Sequence, residues 1–439
     1  MDGIDSGTTA WLLISSALVM LMTPGLAFFY GGMSRAKSVL NMMLMSFASI
    51  AIVSVLWVLI GYSLAYDTAG PFIGGFGLAG VTGLISSVDG GIPVLLDVAF
   101  QMMFAVITVA LISGAIADRA KFGAWLLFVP VWSILVYSPV AYWVWGDGWI
   151  GSLEIGGYGV IDFAGGTAVH INAGAAALAL TFVLGRRKGF GSESMRPHNL
   201  PFVLLGAALL WFGWFGFNAG SAYAADGAAA LAFLNTQVAT AAATGAWMLV
   251  ERIRYGKATA LGFASGAVAG LVAITPAAAD LTPLGAIALG LVAGAVCAYA
   301  ISWKYKFKYD DALDVVGVHL VGGILGSLLI GLLAASSANG SAGLFYGGSP
   351  ALLAVQAIAV AGVLVYSFVV TFVIAKIIDL VMGFRIPEHV ETNGLDAELH
   401  SETAYAFDEL DEIEGGELSS PTPPGEEVAS PQARPTASA

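Results

Sequence analysis

The chain has 439 residues, of which 58% are hydrophobic and only 11% charged, with 56 glycines. That composition excludes an ordinary soluble globular fold and fits a polytopic membrane protein. The net charge of -13 does not describe the body of the chain, because residues 1–387 hold 16 basic and 17 acidic groups while 388–439 hold one and thirteen. Nothing points to a nucleic-acid partner, and Cys297, alone in an apolar segment, leaves neither a disulfide framework nor a cysteine metal site.

Apolar runs of roughly 20 residues, enough to cross a ~30 Å hydrocarbon core, recur along most of the sequence. In chain order they predict eleven spans, at about 8–31, 40–66, 93–117, 122–144, 160–184, 199–223, 228–250, 259–277, 283–303, 312–335 and 350–380. Residues Met1 to Ala10 are acidic and polar and lead straight into the first span, so no Lys/Arg-led signal peptide is expected. The last span is too long to stand upright in a bilayer and is expected to tilt across the bundle. Beyond Phe384 the chain turns acidic and polar, and from about Ser419 its Pro, Ser, Glu and Ala content reads as disorder.

The basic residues orient the spans. Arg35 and Lys37 follow the first, Arg119 and Lys121 the third, Arg186, Arg187, Lys188 and Arg196 the fifth, Arg252, Arg254 and Lys257 the seventh, and Lys304, Lys306 and Lys308 the ninth. Lys376 and Arg385 flank the end of the eleventh. The alternate loops carry Asp67, Asp89, Asp147, Glu154, Asp226 and Asp280 and no Lys or Arg. The positive-inside rule then puts the N-terminus outside and the C-terminus in the cytoplasm of a multi-pass protein of the cell membrane, in agreement with an odd number of spans.

Spans 1–5 and 6–10 make two sets of five, and because five is odd the second set starts from the opposite side. This is the arithmetic of a 5+5 inverted repeat, over about residues 8–184 and 199–335, with a long eleventh helix left over. Each set ends in an Asp followed by a His: Asp162-Phe-Ala-Gly-Gly-Thr-Ala-Val-His170 and Asp314-Val-Val-Gly-Val-His319. At ~1.5 Å per residue, His170 lies about 12 Å below Asp162 and His319 about 8 Å beyond Asp314, so the imidazoles can meet near the midplane. An ionisable group at that depth is a functional candidate by default. The alternatives are an imidazole satisfied by a neighbouring carbonyl, or bis-histidine haem ligation, for which nothing else in the sequence argues. Asp162 and Asp314 both fit helix N-caps. At Asp162 a buried negative charge would also favour a cation nearby.

Aromatic residues gather toward the expected outer ends of several spans: Phe100 and Phe104, Trp143 and Trp145, Trp214 and Phe217. A lipid-interface belt explains some of them. Phe100 and Phe104, however, share a helical face, and a tryptophan offers the best cation–π surface. The Ser221 hydroxyl can accept a hydrogen bond from the same cation. Stretches such as Gly262-Phe-Ala-Ser-Gly266-Ala-Val-Ala-Gly270 and Gly322-Gly323-Ile-Leu-Gly326 read as close helix packing.

Several motifs carry a resemblance: Asp162-Phe-Ala-Gly-Gly-Thr-Ala-Val-His170-Ile-Asn-Ala-Gly, Trp211-Phe-Gly-Trp-Phe-Gly-Phe-Asn-Ala-Gly-Ser221, Phe100-Gln-Met-Met-Phe104, Arg196-Pro-His-Asn-Leu-Pro and Asp314-Val-Val-Gly-Val-His319. With these the chain resembles the ammonium transporter (Amt/Mep/Rh) family, in its prokaryotic Amt branch, over about residues 8–410. The family's eleven-span topology agrees with the charge pattern. The resemblance implies ammonium uptake, with methylammonium as an analogue substrate, by a homotrimer without cofactor or enzymatic step. It implies that Trp145, Phe100 and Ser221 form an outer recruitment site supported by Asp162, that Phe104 and Phe217 stack as a gate, and that His170 and His319 line an apolar pore.

Three departures from the family pattern stand out: Val316 where an aromatic is usual, Leu320 where glycine often follows the histidine, and Asp147 in place of a glycine near the entrance. The domain organisation expected is a transmembrane body over 1–384, a cytoplasmic segment over 385–410 and an acidic disordered tail over 411–439. The middle segment, from Gly383-Phe-Arg-Ile-Pro through His400-Ser-Glu-Thr-Ala-Tyr405, resembles the family's regulatory tail, which implies a PII signalling protein as a partner at the inner face. An ammonium sensor with little flux is the alternative function.

Overall fold

The computed structural model describes residues 3–405; the expected acidic tail over 411–439 lies outside them. Eleven long helices form: α1 Ser6–Met33, α2 Ala36–Tyr66, α3 Val94–Ile116, α4 Phe122–Trp145, α5 Gly166–Leu184, α6 Leu200–Gly220, α7 Gly227–Tyr255, α8 Ala260–Ala277, α9 Pro283–Phe307, α10 Val316–Leu333 and α11 Pro350–Met382. Ten are long and apolar enough to cross a membrane. The remaining one, α7, has 29 residues and the length to span, but carries a polar stripe. Most of that stripe is satisfied internally, as lipid requires, with the Asn235 Oδ1 left without a partner. The hydroxyls of Thr236, Thr240 and Thr244 each donate to the carbonyl four residues back at 2.6–2.9 Å, and Asn235 donates to the carbonyls of Ala278 and Leu281 at 2.8 Å.

Small residues set how closely the helices approach. The first helices of the two sets, α1 and α6, lie along each other, and a Cβ placed on Gly206 would come within 2.3 Å of the Phe29 nitrogen. On α9, Cβ atoms at Gly290 and Gly294 would meet the Ala239 and Ala243 carbonyl oxygens of α7 at 2.2 and 2.1 Å. Backbones thus touch without intervening side chains, the packing available where burial from water no longer drives association. The last helix, α11, packs against α4, α5 and α10, and so against helices of both sets.

The fifth and tenth helices open alike. In each, the first turn is a π-turn containing the histidine, Gly166–Ile171 in α5 and Val316–Leu320 in α10. Three residues after the capping acid the chain enters a left-handed conformation, at Gly165 (φ 114°) in one set and Asp314 (φ 64°) in the other. This corrects the expectation for Asp314. The cap of α10 is Asp311, whose carboxylate accepts the Val315 and Val316 N–H groups at 3.1 and 2.7 Å, whereas Asp314 pairs with Lys304 at 2.6 Å. With Asp311 as the equivalent of Asp162, each acid stands eight residues before its histidine.

The loops rich in Lys and Arg come together at one end of the bundle. Arg187 pairs with Asp310 at 2.8 Å and Asp118 at 3.3 Å, and Arg35 reaches Asp118 at 3.4 Å. Burial pushes the Asp310 carboxyl up, but hydrogen bonds from Arg187 and the charges of Arg119 and Arg187 outweigh it and hold the group below its ordinary range. The segment after α11 folds back onto this end as α12 Glu388–Asn393 and α13 Leu395–His400. Asp396 caps the start of α2 by accepting the N–H groups of Leu40 and Asn41 at 3.0 and 2.9 Å. Glu391 accepts from Arg385 at 2.8 Å and from the Lys188 N–H at 2.7 Å.

Of the three departures, Leu320 has a structural counterpart on α5. A Cβ on Gly174 would lie 2.6 Å from both Cβ and N of Leu320 and 2.7 Å from its Cα, so the α10 backbone at this position sits against a bare backbone on α5. Gly174→Ala is expected to cost about 1–3 kcal/mol by overpacking, and adding Leu320→Ala should recover little of that loss, because alanine keeps the N, Cα and Cβ atoms that the new methyl meets. Thermal unfolding of the two single variants and the double variant checks this; a double variant clearly more stable than Gly174→Ala would show that the leucine side chain beyond Cβ closes the space.

Candidate functional site

At the end of the bundle opposite the basic cluster, a cavity of about 410 Å³ opens between α2, α3, the end of α4 and the loop after α6. Its floor is Phe104, whose ring lies 4.2 Å from that of Phe217 (36° between planes) and edge-on to Trp145 at 5.9 Å. Trp145, Ser221 and Phe163 complete the lower wall. The Trp145 indole N–H donates to the Asp162 carbonyl at 3.0 Å, which fixes the ring. The Ser221 hydroxyl donates to the Phe217 carbonyl at 2.8 Å, which leaves its oxygen lone pairs free to accept.

Two expected members of this site stand elsewhere. Phe100 is fully buried, edge-on to Tyr223 at 5.5 Å and to Phe104 at 4.9 Å, and does not line the cavity. Its ring is one turn above Phe104 but turned toward α6, where Gly220 makes room for it, so it backs the wall. The Asp162 carboxylate faces α5: it accepts the N–H groups of Gly165 at 3.0 Å, Gly166 at 2.5 Å, Thr167 at 2.9 Å and Ala168 at 3.2 Å, together with the Thr167 hydroxyl. It reaches the cavity only through its own carbonyl and Trp145. Asp147, the acid near the entrance, accepts the Thr68 hydroxyl at 2.7 Å and is not part of the lining.

Below Phe217 the path is narrow and apolar. A cavity of about 10 Å³ is bounded by Trp214, Phe217, Ile107, Val268 and the two histidines, and a second of about 10 Å³ continues past Phe29, Tyr30 and Val318 to Asp314. Such a space takes one molecule of about water's size. The histidines meet there, His170 Nδ1 to His319 Nδ1 at 3.3 Å, with both rings buried. A bond between two Nδ1 atoms requires one ring to carry its proton on Nδ1 and the other on Nε2. His170 stacks on Trp214 at 5.4 Å and Phe217 at 6.0 Å, and its Nε2 has no protein partner.

Sequence reasoning missed the acid that lines the upper wall. Asp97, in the first turn of α3, accepts the hydroxyls of Tyr62 at 2.7 Å and Tyr223 at 2.6 Å. The available signal was an acid inside an otherwise apolar span, four residues before Gln101 and with no basic residue near it in sequence.

Residues 10–405 match the Ammonium Transporter Family. The chain belongs to this family. An ammonium transporter of Mycobacterium tuberculosis H37Rv is 54% identical over 435 residues, covering 92% of this chain and 91% of the relative. The ammonium transporter of Bacillus subtilis is 51% identical over 410 residues, covering 92% and 99%. Among solved structures, Candida albicans Mep2 superposes with a TM-score of 0.82 at 32% identity, covering 88% of each chain. A protein described as a sensor Amt protein does so with a TM-score of 0.83 at 27% identity, covering 90% and 98%. The curated relatives named above are ammonium transporters, which sets aside an enzymatic reading.

The two caps make unequal demands. Asp162 satisfies five donors and Asp311 two, and burial pushes the Asp311 carboxyl up against the pull of the Lys304 charge. Asp162→Ala should therefore destabilise more than Asp311→Ala, by about 3 kcal/mol or more for the first, since buried N–H groups are orphaned. Melting temperatures in detergent test the order, and a milder loss for Asp162→Ala would contradict this reading of the two helix starts.

Proposed function

We propose that this protein takes up ammonium across the cell membrane, recruiting the ion in the aromatic cavity and passing ammonia through the histidine-lined path. The observation that carries the reading is the continuous line from an open cavity, through the Phe104–Phe217 pair, to two facing imidazoles in a space of one small molecule. By the positive-inside rule the aromatic cavity faces outward and the basic end with the C-terminal segment faces the cytoplasm.

The chemistry follows from solvation. An ammonium ion stripped of water in hydrocarbon costs many kcal/mol, whereas neutral ammonia suffers little. In the cavity the ion keeps some of its water and gains a cation–π contact with Trp145 and Phe104, worth about 0.5–2 kcal/mol, and an N–H bond to the Ser221 oxygen. Below the phenylalanine pair there is room for the molecule and none for its hydration shell. The ion therefore gives up one proton at the gate, and the product, ammonia, slides past rings that supply the polar atoms of an apolar path. The histidine pair exchanges protons through its Nδ1–Nδ1 contact and returns the released proton to the inner side.

The protein acts as a homotrimer with one path per subunit, and its C-terminal segment, docked on the basic end, is the surface for a PII signalling protein. A second reading has support of its own, because the sensor Amt protein shares the fold over most of its length. In that reading the same cavity reports occupancy through the docked segment with little flux.

Ammonium and methylammonium pulses on proteoliposomes, read as solid-supported-membrane currents, decide between them. Wild type should carry saturable current, and His170→Ala and His319→Ala should each reduce it at least tenfold, since either substitution interrupts the proton path. Unchanged rate and selectivity in both histidine variants would falsify the proton-exchange role. Binding without flux in the wild type would favour the sensor.

A further inference from the structure

The upper cavity contains a charged group that the transport path just described does not use. Asp97 lines it, and α3 places Asp97, Gln101 and Phe104 successively downward along one side. From Asp97 to Phe104 is seven residues, about 10 Å along a helix. No Lys or Arg lines this cavity, and Asp97 has no ion-pair partner among the described residues.

The carboxylate is held in place by neutral groups. Tyr62 and Tyr223 each donate a hydroxyl hydrogen to a different oxygen of Asp97, at 2.7 and 2.6 Å. Tyr223 adopts a left-handed backbone (φ 53°), a strained choice for a bulky residue that directs its side chain back over α3. Its oxygen in turn accepts from the Gln101 amide at 2.7 Å. An ionised carboxylate has about four acceptor positions, so two remain after the tyrosines. Gln101 is only 7% exposed, lines the same cavity, and its Oε1 has no protein partner. A buried acceptor without a donor beside an unneutralised carboxylate lacks a species that brings N–H groups and positive charge.

We infer that Asp97, clamped by Tyr62 and Tyr223 and joined by the Gln101 Oε1, is a first cation subsite that captures partly hydrated ammonium above the Trp145–Phe104–Ser221 site. The cavity of about 410 Å³ has space for the ion with several waters, each occupying about 30 Å³, so capture here precedes dehydration. The aromatic faces below then select against more strongly hydrated ions, while Asp97 raises the local concentration from which they select. A carboxylate in a low-dielectric funnel acts in this way on cation arrival. The inference rests on the transport reading of the same cavity.

The test measures KM for ammonium current in proteoliposomes at about 10 mM and about 300 mM of a bulky, non-transported salt, conditions that span strong and weak screening. In wild type, KM should rise with salt. In Asp97→Asn, KM at low salt should rise about fivefold and become nearly independent of salt, and Asp97→Glu should restore the salt dependence. Wild-type KM at both salt concentrations in Asp97→Asn would overturn the subsite. Should that variant fail to fold, the Tyr62→Phe/Tyr223→Phe pair removes the two hydrogen bonds that favour the ionised carboxylate in this buried place. Its KM at low salt is then expected to rise, and an unchanged KM overturns the proposal. Failure of the transport reading would show separately, as absence of current in the wild type. In that case quenching of tryptophan fluorescence by ammonium, compared between wild type and Asp97→Asn, still decides the subsite, and equal titrations would refute it.

Discussion

A polypeptide that starts a helix inside a membrane protein must find acceptors for its first N–H groups without water. At the head of α5 the Asp162 carboxylate takes four backbone N–H groups and a hydroxyl, and at the head of α10 Asp311 takes two. These bonds permit a π-turn at each helix start, and the π-turn sets the direction of the histidine that is its last residue but one. The meeting of His170 and His319, the stacking of His170 on Trp214, and the anchoring of Trp145 through the Asp162 carbonyl follow from the same two capped loops. Few substitutions can be made there without consequences at both the cavity and the path.

Much of this was legible in the chain. The length of the apolar runs pointed to the eleven helices, whose observed ends lie within a few residues of the expected ones except at α7, which runs on to Tyr255, and at α5, which begins at Gly166 because Asp162 stays outside as its cap. Parity of the spans and the two histidines pointed to opposed halves meeting at depth. The capping acid of α10 was not legible. Three aspartates, Asp310, Asp311 and Asp314, stand within five residues, and only the left-handed turn at Asp314 decides that Asp311 is the cap, Asp310 the partner of Arg187 and Asp314 the partner of Lys304. The position of Phe100 was equally hidden, because a four-residue spacing puts it on the face of Phe104 without saying which ring fronts the cavity.

The departures from the family pattern divide by what surrounds them. Leu320 meets Gly174 across the α5–α10 contact through its backbone and Cβ, so this close approach between positions 146 residues apart does not depend on the rest of the leucine side chain. Val316 contributes its backbone N–H to the Asp311 cap, which is indifferent to its side chain. Asp147 is occupied by Thr68. The residues of the proposed cation subsite, Asp97 with Tyr62 and Tyr223, come from three separate segments. Each alone resembles an interfacial aromatic or a helix-start acid.

Helix α11 has no counterpart in either set of five, and it lies against α4 and α5 of one and α10 of the other. Together with the backbone contact between α1 and α6, it braces the two sets against rotation. A transporter built from opposed repeats ordinarily works by rocking one against the other; here that motion would tear two extensive contacts. In the proposed mechanism, turnover in such a frame is set by side-chain rearrangement at the phenylalanine pair and by proton transfer, and its temperature dependence is then that of a gated conduit rather than of a machine that cycles between two shapes.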